Sequence, residues 1–465
     1  MSNPVFSHET FISPLTWRYG SLEMRKNWSE DNKRKLLRKI WVALASAQHD
    51  AGLVSDIQLK ELKEQQNNID IGRASEIEEK IHHDLMAEIK TYAEQCPHGG
   101  AIIHMGATSM DVLDNMDALR LNSALDILKV KLKKLLGIFA DKIEQTKDIP
   151  YMAFTHIQSA EPTTVGYRLA QTAQDLVFDY QDLVSLTVFG KGMKGAVGTA
   201  ASYKALLKGT GMSADEMEKK VMDSVGLKAF DCTTQVYPRK QDLRIMQRLS
   251  SLACTISKFA MDFRILQSSS IGEWSENFGK FQVGSSAMPF KRNPINCEKV
   301  NSLTRYIRSL ETSAWDNASL SILERTLDDS ANRRLFFPQA FISMDEVLIT
   351  ITKVVDGMNF HQTGIDRNLS TFGVFAATEK LLMELGRHGA DRQEMHELIR
   401  KYSLNAWKEV QEGKVNNLRK DLSHDKTVMS YISSEEAYDL LSATDYVGTA
   451  PERAELIVEK IRKLN

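Results

Sequence analysis

The segment GSSAMPFKRNP, at Gly284–Pro294, combines side chains that could do chemistry with residues that shape a loop. Gly284 can adopt backbone angles closed to other residues, and the two prolines fix φ and remove backbone donors. Serine hydroxyls beside a lysine–arginine pair can activate a weak oxygen base and hold an anion. A polar surface loop is the alternative, but it would expose Met288 and Phe290 without a reason. The segment therefore predicts a functional loop.

Three histidine clusters are candidates for proton transfer, the role to which histidine is best suited near neutral pH. His82 and His83 precede an aspartate on a predicted helix, His104 opens HMGATSMD, and His156 lies in FTHIQSAEPTT, where a proline and threonines interrupt the helix. A lone histidine is more often a structural hydrogen-bonding group. Zinc is the competing functional interpretation. Adjacent histidines point about 100° apart on a helix, and no HxxxH or HExxH spacing occurs, so we expect no metal site.

Two arginine-containing segments are candidates for anion binding. ERTLDDSANRR places Arg325, Ser330 and Arg334 close together, and arginine binds phosphate or carboxylate through paired donors. A solvated, charged helix end is the alternative. Near the start of the chain, Arg18 and Tyr19 follow Trp17 in a predicted loop, which offers a further cation with aromatic neighbours.

Long amphipathic helices must position these groups, because the dominant hydrophobic period along the chain is helical. Apolar residues repeat at spacings of three and four in four stretches, which predicts helices packed on one another as in bundles and coiled coils. No convincing strand pattern occurs, so the predicted fold class is all-α. The four seams are Leu121, Leu125, Leu128, Leu132, Leu135 and Phe139; Leu169, Ala173, Leu176, Tyr180 and Leu183; Leu249, Leu252, Ile256, Phe259, Phe263 and Leu266; and Phe341, Met344, Leu348, Ile351 and Val355.

The glycines Gly190, Gly192 and Gly195 match the GxGxxG spacing of dinucleotide-binding loops. That motif requires a preceding strand within a βαβ unit. Here the preceding residues continue a helical seam, so we interpret the glycines as structural and expect no nucleotide cofactor.

The seams also suggest three helical domains, at residues 1–111, 112–364 and 365–465, of which the central one is a bundle of long helices. Seams of this length expose apolar stripes that one chain does not cover, which predicts a homo-oligomer formed through the bundle.

Composition is ordinary for a globular protein, with 42% hydrophobic and 26% charged residues among 465 and a net charge of −2. This balance favours neither nucleic acid nor an anionic membrane as a partner, so an anionic substrate must be met by locally placed cations. The four cysteines form no CxxC pair and predict free thiols of a reducing compartment. No signal-peptide pattern is present at the start, and we expect a cytoplasmic protein.

Several motifs together resemble a known enzyme family. The functional loop matches the GSSxMPxKxNP signature of the fumarase/aspartase superfamily of lyases at every fixed position. GATSMDV, THIQSAEPTTVG, KGAVGT, TTQVYPRK, this loop and ERTLDDSANRR follow the order seen in adenylosuccinate lyases, and SPLTWRYGS and HHDLMAEI are similar to that family's amino-terminal motifs. The resemblance covers nearly the whole chain and is nearest to the branch that includes the animal enzymes.

The resemblance implies β-elimination of fumarate from adenylosuccinate to leave AMP, with no metal or organic cofactor. Ser285 would remove the proton next to the carboxylate, His156 would protonate the leaving nitrogen, and His83 would assist substrate binding. Lys291 would stabilise the serine alkoxide and help to hold the succinyl carboxylates. The other implied substrate-binding residues are His82 and Asp84; Thr108, Ser109 and Thr155 for the carboxylates; Gln235, Asn293 and Lys299; and Arg18, Tyr19, Arg325, Ser330 and Arg334 for phosphate and ribose.

Two positions depart from the family pattern. Lys299 stands where the animal-type motif has arginine, which keeps the charge but loses the planar fork, and Thr449 replaces the arginine of a GRAP-like turn. Neither change removes a catalytic group.

Two other functions remain as alternatives: another fumarate-releasing lyase, such as argininosuccinate lyase, and a catalytically inactive structural homologue. The phosphate-type arginine cluster argues against the first, and the intact serine, histidine and lysine argue against the second. The resemblance further implies a homotetramer whose active sites are shared among three chains. It also implies cleavage of succinyl-aminoimidazole carboxamide ribotide.

Overall fold

The computed structural model describes residues 9–464, most of which are helical. In chain order the elements are α1 (Pro14–Trp17), α2 (Leu22–Asn27), α3 (Glu30–Asp50), α4 (Asp56–Gln65), α5 (Ile71–Ile81), α6 (Asp84–Glu94), a 3-10 turn at Gly99–Ile102, α7 (Ser109–Thr146), β1 (Pro150–Thr155), β2 (Gln158–Thr164), α8 (Val165–Ser185), α9 (Ala201–Leu206), α10 (Ala214–Val225) and α11 (Lys240–Leu266). They continue with β3 (Trp274–Ser275), α12 (Ile295–Ser319), α13 (Asp328–Gly357), β4 (Asn359–Phe360), α14 (Gln362–Arg387), α15 (Arg392–Gln411), α16 (Leu418–Ser423), α17 (Lys426–Met429), α18 (Ser434–Leu440) and α19 (Ala450–Arg462).

The four predicted seams lie on α7, α8, α11 and α13, and every seam residue is at most 7% exposed. Complete burial of a leucine or phenylalanine side chain contributes about 1.5–3 kcal/mol, so repeated seams supply the main driving force for folding. The seams also meet directly, because Phe139 of α7 packs edge-on against Phe259 of α11 with ring centres 5.3 Å apart. The all-α fold with a bundle of long helices is therefore confirmed.

Serine side chains cap the amino termini of α2 and α3. Ser21 accepts a hydrogen bond from the backbone N–H of Met24, and Ser29 accepts one from Asn32. Such a cap satisfies a backbone donor that has no partner within the helix, typically contributing about 1 kcal/mol. The serines before these helices therefore fix the phase of the apolar faces that follow.

Two short antiparallel strand pairs, of which only β1–β2 is a hairpin, interrupt the helices where the sequence predicted no strands. β1 pairs with β2 in the register Tyr151↔Thr163, with an irregularity between Met152 and Phe154, and Trp274 of β3 pairs with Phe360 of β4. Strands of two to seven residues are too short, and the irregularity too disruptive, for a clear alternating pattern to develop in the sequence.

Contacts between Cα atoms group the chain into two compact units. The first unit contains Met1–Leu132, Asp179–Cys254 and Ser302–Ile349, and the second contains Lys133–Phe178, Thr255–Asn301 and Thr350–Asn465. Residues 1–8 and 465, at the ends of the predicted first and third domains, lie outside the described residues. The division into three domains stays a prediction.

Helix α13 has the length and apolar composition of a membrane-spanning segment. However, 67% of its most apolar stretch is buried inside the protein, as is usual for a core helix. We therefore interpret α13 as part of the helical core.

Candidate active site

The first unit contains an open cavity of about 670 Å³. A cavity of this size suits a small molecule, and its wall here is largely polar and charged. Nine of the residues predicted to bind substrate line it: His82, His83, Asp84, Thr108, Ser109, Gln235, Arg325, Ser330 and Arg334. The fold thus collects segments that are more than 200 residues apart in the sequence.

The two adjacent histidines lie at a junction between helices, so their predicted position on one helix is wrong. Helix α5 ends at Ile81, and His82 adopts a left-handed conformation with φ of 52°. His83 then caps α6, because its Nδ1 accepts the backbone N–H of Met86 over 3.3 Å. Since Nδ1 is an acceptor, the neutral His83 ring carries its proton on Nε2. The junction therefore leaves Nε2 as the nitrogen able to donate to a ligand.

Asp84 follows this junction and pairs with Arg334, whose Nη2 lies 2.9 Å from Oδ2 of Asp84. Burial of the Asp84 carboxyl opposes its ionisation, but the nearby cations of Arg334 and Lys33 outweigh burial and lower its pKa. Lys33, on α3, lines the same cavity and was not identified from the sequence. The pair orients Arg334, one of the arginines predicted to bind the phosphate and ribose end.

Thr108 and Ser109 lie at the start of α7, where Asp111 holds the backbone of Thr108. The backbone N–H of Thr108 donates to Oδ2 of Asp111 over 3.0 Å. Asp111 is fully buried and also accepts hydrogen bonds from Lys191 Nζ and from the backbone N–H of Gly195. A buried carboxylate with this many donors is a rigid support.

The same contacts explain the glycines that match the dinucleotide-binding spacing. α8 ends at Ser185, and Gly190 forms only an isolated bridge, with Ala229. Gly192 and Gly195 adopt positive φ, which lets the backbone wrap around Asp111. Their interpretation as structural glycines agrees with this geometry.

The ERTLDDSANRR segment forms another part of the cavity wall. α13 begins at Asp328, so Ser330 and Arg334 lie one turn apart near its amino terminus. A helix amino terminus carries partial positive charge and favours an anion, and two arginines reinforce it. Burial lowers the pKa of Arg325, against the opposing effect of Asp329. This wall is suited to a phosphate group.

His104 is not part of the cavity lining. Its Nδ1 accepts the indole N–H of Trp41 over 3.1 Å, and burial lowers its pKa. Of the three histidine clusters, this one has the structural role that is common for a lone histidine.

His156 lies in the second unit at the tip of the β1–β2 hairpin, and its side chain is exposed. The two turn residues, His156 and Ile157, have φ of 55° and 61°. Positive φ at both positions is typical of a tight hairpin turn, and it strains residues other than glycine, asparagine or aspartate. Thr155 is the last residue of β1 and pairs with Gln158. The hairpin therefore presents His156 and Thr155 together.

Ser285 lies in an irregular loop of the second unit, as predicted. Its Oγ accepts the backbone N–H groups of Met288, over 3.0 Å, and Ala287, over 3.3 Å. Two amide donors stabilise negative charge on the oxygen and so favour ionisation of the hydroxyl. Met288 and Phe290 are nonetheless 43% and 83% exposed in the single chain.

The loop is closed at its base by backbone contacts. Asn293 Nδ2 donates to the carbonyl of Gly284 over 3.3 Å, and a Cβ atom added to Gly284 would lie 2.1 Å from the carbonyl oxygen of Lys291. Only glycine permits this approach without movement of the backbone. Lys291 itself is exposed, and Lys299 follows on α12.

Arg18 and Tyr19 are not among the residues that line the cavity. The loop predicted before them contains a helical turn, α1, and the segment that follows is fixed to α13. Gly20 N–H donates to Glu346 over 2.9 Å, and Ser21 N–H donates to Asp345 over 2.6 Å. Within one chain, the structure does not bring this predicted pair to the site.

A buried network of alternating charges supports the cavity and was missed in the sequence. Arg333 donates to Asp242 over 2.8 Å, to Asp117 over 3.0 Å and to the hydroxyl of Tyr237 over 2.6 Å. Buried charges are stable only when they are paired in this way. Opposite or like charges three or four residues apart, as in Asp114/Asp117, Arg239/Asp242 and Asp329/Arg333, are the sequence signal that could have revealed it.

The sequence matches two family models. Residues 21–308 match a family described as "Lyase", and residues 375–456 match one described as "Adenylosuccinate lyase C-terminus".

Curated relatives are similar over most of their length. An adenylosuccinate lyase of Schistosoma mansoni is 38% identical over 90% of this chain and 88% of its own. The enzymes so named from Saccharomyces cerevisiae and Archaeoglobus fulgidus are 36% and 35% identical, each over 97% of this chain and over 95% and 99% of their own.

Solved structures share the fold at lower sequence identity. The 3-carboxy-cis,cis-muconate lactonizing enzyme of Pseudomonas putida superposes with a TM-score of 0.83 at 21% identity, covering 97% of this chain and 99% of its own. A fumarate lyase from Mesorhizobium superposes with a TM-score of 0.80 at 20% identity, covering 95% and 98%. These structures establish the fold class.

Proposed function

The chain belongs to the adenylosuccinate lyase family, and from this premise we propose how its residues eliminate fumarate from adenylosuccinate to leave AMP. The protein is a carbon–nitrogen lyase. The observation that carries the assignment is near-full-length similarity to enzymes of one name, together with a cavity lined by nine of the expected residues. Neither argininosuccinate lyase nor an inactive scaffold is favoured by these relatives.

Ser285 acts as the base in this proposal. Its alkoxide takes the proton from the carbon next to the substrate carboxylate, and the electron pair left on carbon delocalises into that carboxylate. Support comes from the N–H groups of Ala287 and Met288, which already point at Oγ. Preorganised donors of this kind are worth about 3 kcal/mol each in known oxyanion holes, and Lys291 adds positive charge to the loop.

His156 acts as the acid. As the electron pair returns from carbon, the carbon–nitrogen bond breaks, and the imidazolium delivers a proton to the departing nitrogen of the purine. The products are fumarate and AMP, and the two proton transfers balance. Its support is a strained position at the tip of a hairpin, since strain of this kind concentrates at functional sites.

The cavity of the first unit would hold the nucleotide. Arg325, Ser330 and Arg334 take the phosphate at the start of α13, supported by the helix terminus and the two guanidinium groups. Thr108 and Ser109 hold the carboxylates, on the support provided by Asp111. The further ligands are His82, His83, Asp84, Thr155, Gln235, Asn293 and Lys299, with Arg18 and Tyr19 at the phosphate and ribose end.

We also propose that the enzyme is a homotetramer with shared active sites. The support is the exposure of the His156 turn and of the Ser285 loop in the single chain, where Phe290 is 83% exposed and Ile157 is 68% exposed. Catalytic groups must be shielded from water during the reaction, so another chain or a bound ligand should cover them. Four free cysteines support a cytoplasmic location.

The assignment can be tested with purified protein. Adenylosuccinate should be converted to AMP and fumarate, followed by the ultraviolet absorbance change, while argininosuccinate should remain intact. Cleavage of succinyl-aminoimidazole carboxamide ribotide should follow in the same assay. If the protein cleaves neither of the two purine substrates, the proposed function is refuted. Cleavage of argininosuccinate instead would favour argininosuccinate lyase.

A further inference from the structure

We propose that Arg239 is a positioning residue that keeps Arg325 available for the substrate. It does so by forming a hydrogen bond with Asp329, the carboxylate that lies between the two arginines. This rests on the proposed function, because it assumes that Arg325 binds the substrate phosphate. All three residues line the cavity of the first unit.

Arg239, just before α11, is only 4% exposed, and its direction is fixed by several contacts. Its Nε donates to Asp329 Oδ2 over 2.5 Å, and its Nη1 donates to Asp114 Oδ1 over 3.0 Å. Its guanidinium also lies 4.7 Å from the ring centre of Tyr237. Charge-assisted hydrogen bonds of this length are strong, so Arg239 cannot turn into the cavity to bind a ligand itself. Its influence must pass through Asp329.

Asp329 lies between two arginines but accepts a hydrogen bond from only one of them. Arg325 forms an ion pair with Asp329, with Nη2 3.8 Å from Oδ1, but this distance is too long for a hydrogen bond. Within residues 9–464, neither this oxygen nor Nη1 of Arg325 has a hydrogen-bond partner. Among the described residues the Arg325 side chain makes one hydrogen bond, from its Nε to the carbonyl of Thr326 over 2.9 Å. Its Nη1 is buried without a hydrogen-bond partner, so the guanidinium retains an unused donor.

Removal of the Arg239 charge would change this arrangement. Asp329 is 5% exposed, and a buried carboxylate without a partner is strongly unfavourable. Arg333 is already bonded to Asp242, Asp117 and Tyr237 and cannot replace the lost partner. The free donors of Arg325 are adjacent, so Arg325 would close onto Asp329. The substrate phosphate would then have to break that pair before it could bind.

The test is the kinetic behaviour of Arg239→Gln with adenylosuccinate. We expect KM to rise about tenfold while kcat stays within about twofold, because one charged contact to the ground state is lost. Adding Asp329→Asn to Arg239→Gln removes the competing carboxylate and should return KM to within about threefold of wild type. A double variant as impaired as the single variant, or a fall in kcat with KM unchanged, would overturn the proposal.

If Arg239→Gln does not fold, Arg239→Lys takes its place in the kinetic test. Lysine keeps the charge but cannot reach both carboxylates, so KM should rise less, and Asp329→Asn should again lower it. No such recovery in the lysine background would equally refute the proposal. The matched control is Arg248→Gln on α11, whose partner Asp182 is partly exposed; its KM should not change.

The same experiments separate this proposal from the proposed function. If wild type does not cleave adenylosuccinate, or if Arg325→Ala leaves KM unchanged, the function or the phosphate assignment is wrong. If both hold and Arg239→Gln also leaves KM unchanged, only the role of Arg239 is wrong.

Discussion

The indole N–H of Trp41 donates to Nδ1 of His104 over 3.1 Å, and the two rings meet nearly edge to face, at 83°. Protonation of His104 would place a second N–H against that donor, so the hydrogen bond requires the neutral ring. Burial disfavours the charged ring as well, and the pKa of His104 is lowered. The His104 cluster, a candidate for proton transfer in the sequence, thus provides a buried structural contact, and protonation of its ring is disfavoured.

The first prediction concerns the acid stability that follows from this contact. The unfolded chain takes up the His104 proton near the ordinary pKa of about 6.5, before the folded chain does, so the free energy of unfolding falls as pH decreases below that value. The loss stops once pH is below the lowered pKa of the folded state. His104→Asn, which still accepts from Trp41 and tolerates the positive φ at this position, should flatten this dependence.

Urea unfolding between about pH 5 and pH 8 measures the effect, with His396→Asn on the exposed face of α15 as the control. The interpretation fails if both variants lose stability in parallel with wild type as pH decreases.

The second prediction concerns the two proposed catalytic groups, Ser285 and His156. Ser285→Ala and His156→Ala should each reduce kcat at least about a hundredfold, because each removes a proton-transfer group. Thermal unfolding should be unchanged, since Ser285 is half-buried in a loop and His156 is exposed. Ser286→Ala, at the neighbouring exposed serine, is the matched control and should keep most of the activity. Near-normal turnover in Ser285→Ala or His156→Ala would refute the roles assigned.

The third prediction concerns the base of the functional loop, where Gly284 meets the carbonyl of Lys291. Gly284→Ala should lower kcat, because the new Cβ atom would meet the Lys291 carbonyl at 2.1 Å and force the loop base apart. Gly279→Ala is the control, since its nearest neighbour would lie at 3.8 Å, an ordinary contact. Both variants should keep the melting temperature of wild type. Equal activity of Gly284→Ala and Gly279→Ala would show that the close contact at the loop base is not required for catalysis.

The fourth prediction concerns closure of this loop. Gly284–Lys291 should become ordered when substrate binds, because a base aimed at a doubly charged intermediate must be shielded from water. Trypsin cleavage after Lys291 or Arg292, both exposed in the free chain, should slow in the presence of AMP and fumarate. Cleavage after Lys414, between α15 and α16, should continue at the same rate. An unchanged rate after Lys291 would contradict closure.

The helical core was predictable because burial of a helix face leaves a repeating signal. The six seam residues between Leu121 and Phe139 recur at spacings of three and four, and each of them is buried. The functional loop at Gly284–Pro294 was predictable because it lacks such a repeating pattern. No helix or strand accommodates its glycine, serines and prolines together.

The junction at His82 and His83 was not predictable with the same method. Both histidines fit a helical stretch locally, and only the left-handed His82 and the cap that His83 gives to α6 show that one helix ends there. The β1–β2 hairpin was hidden because its strands are short and irregular.

The sequence by itself determined the helical fold and the family, and it predicted the chemical groups of the site, because periodicity and motifs can be read directly along the chain. Only the tertiary structure decided that His104 supports Trp41, that Asp111 holds Thr108, and that Arg239 engages Asp329. These contacts join segments that are distant in sequence or, like Asp111 and Thr108, depend on a backbone turn. A buried charge selects its partner only when the surrounding helices have removed it from water.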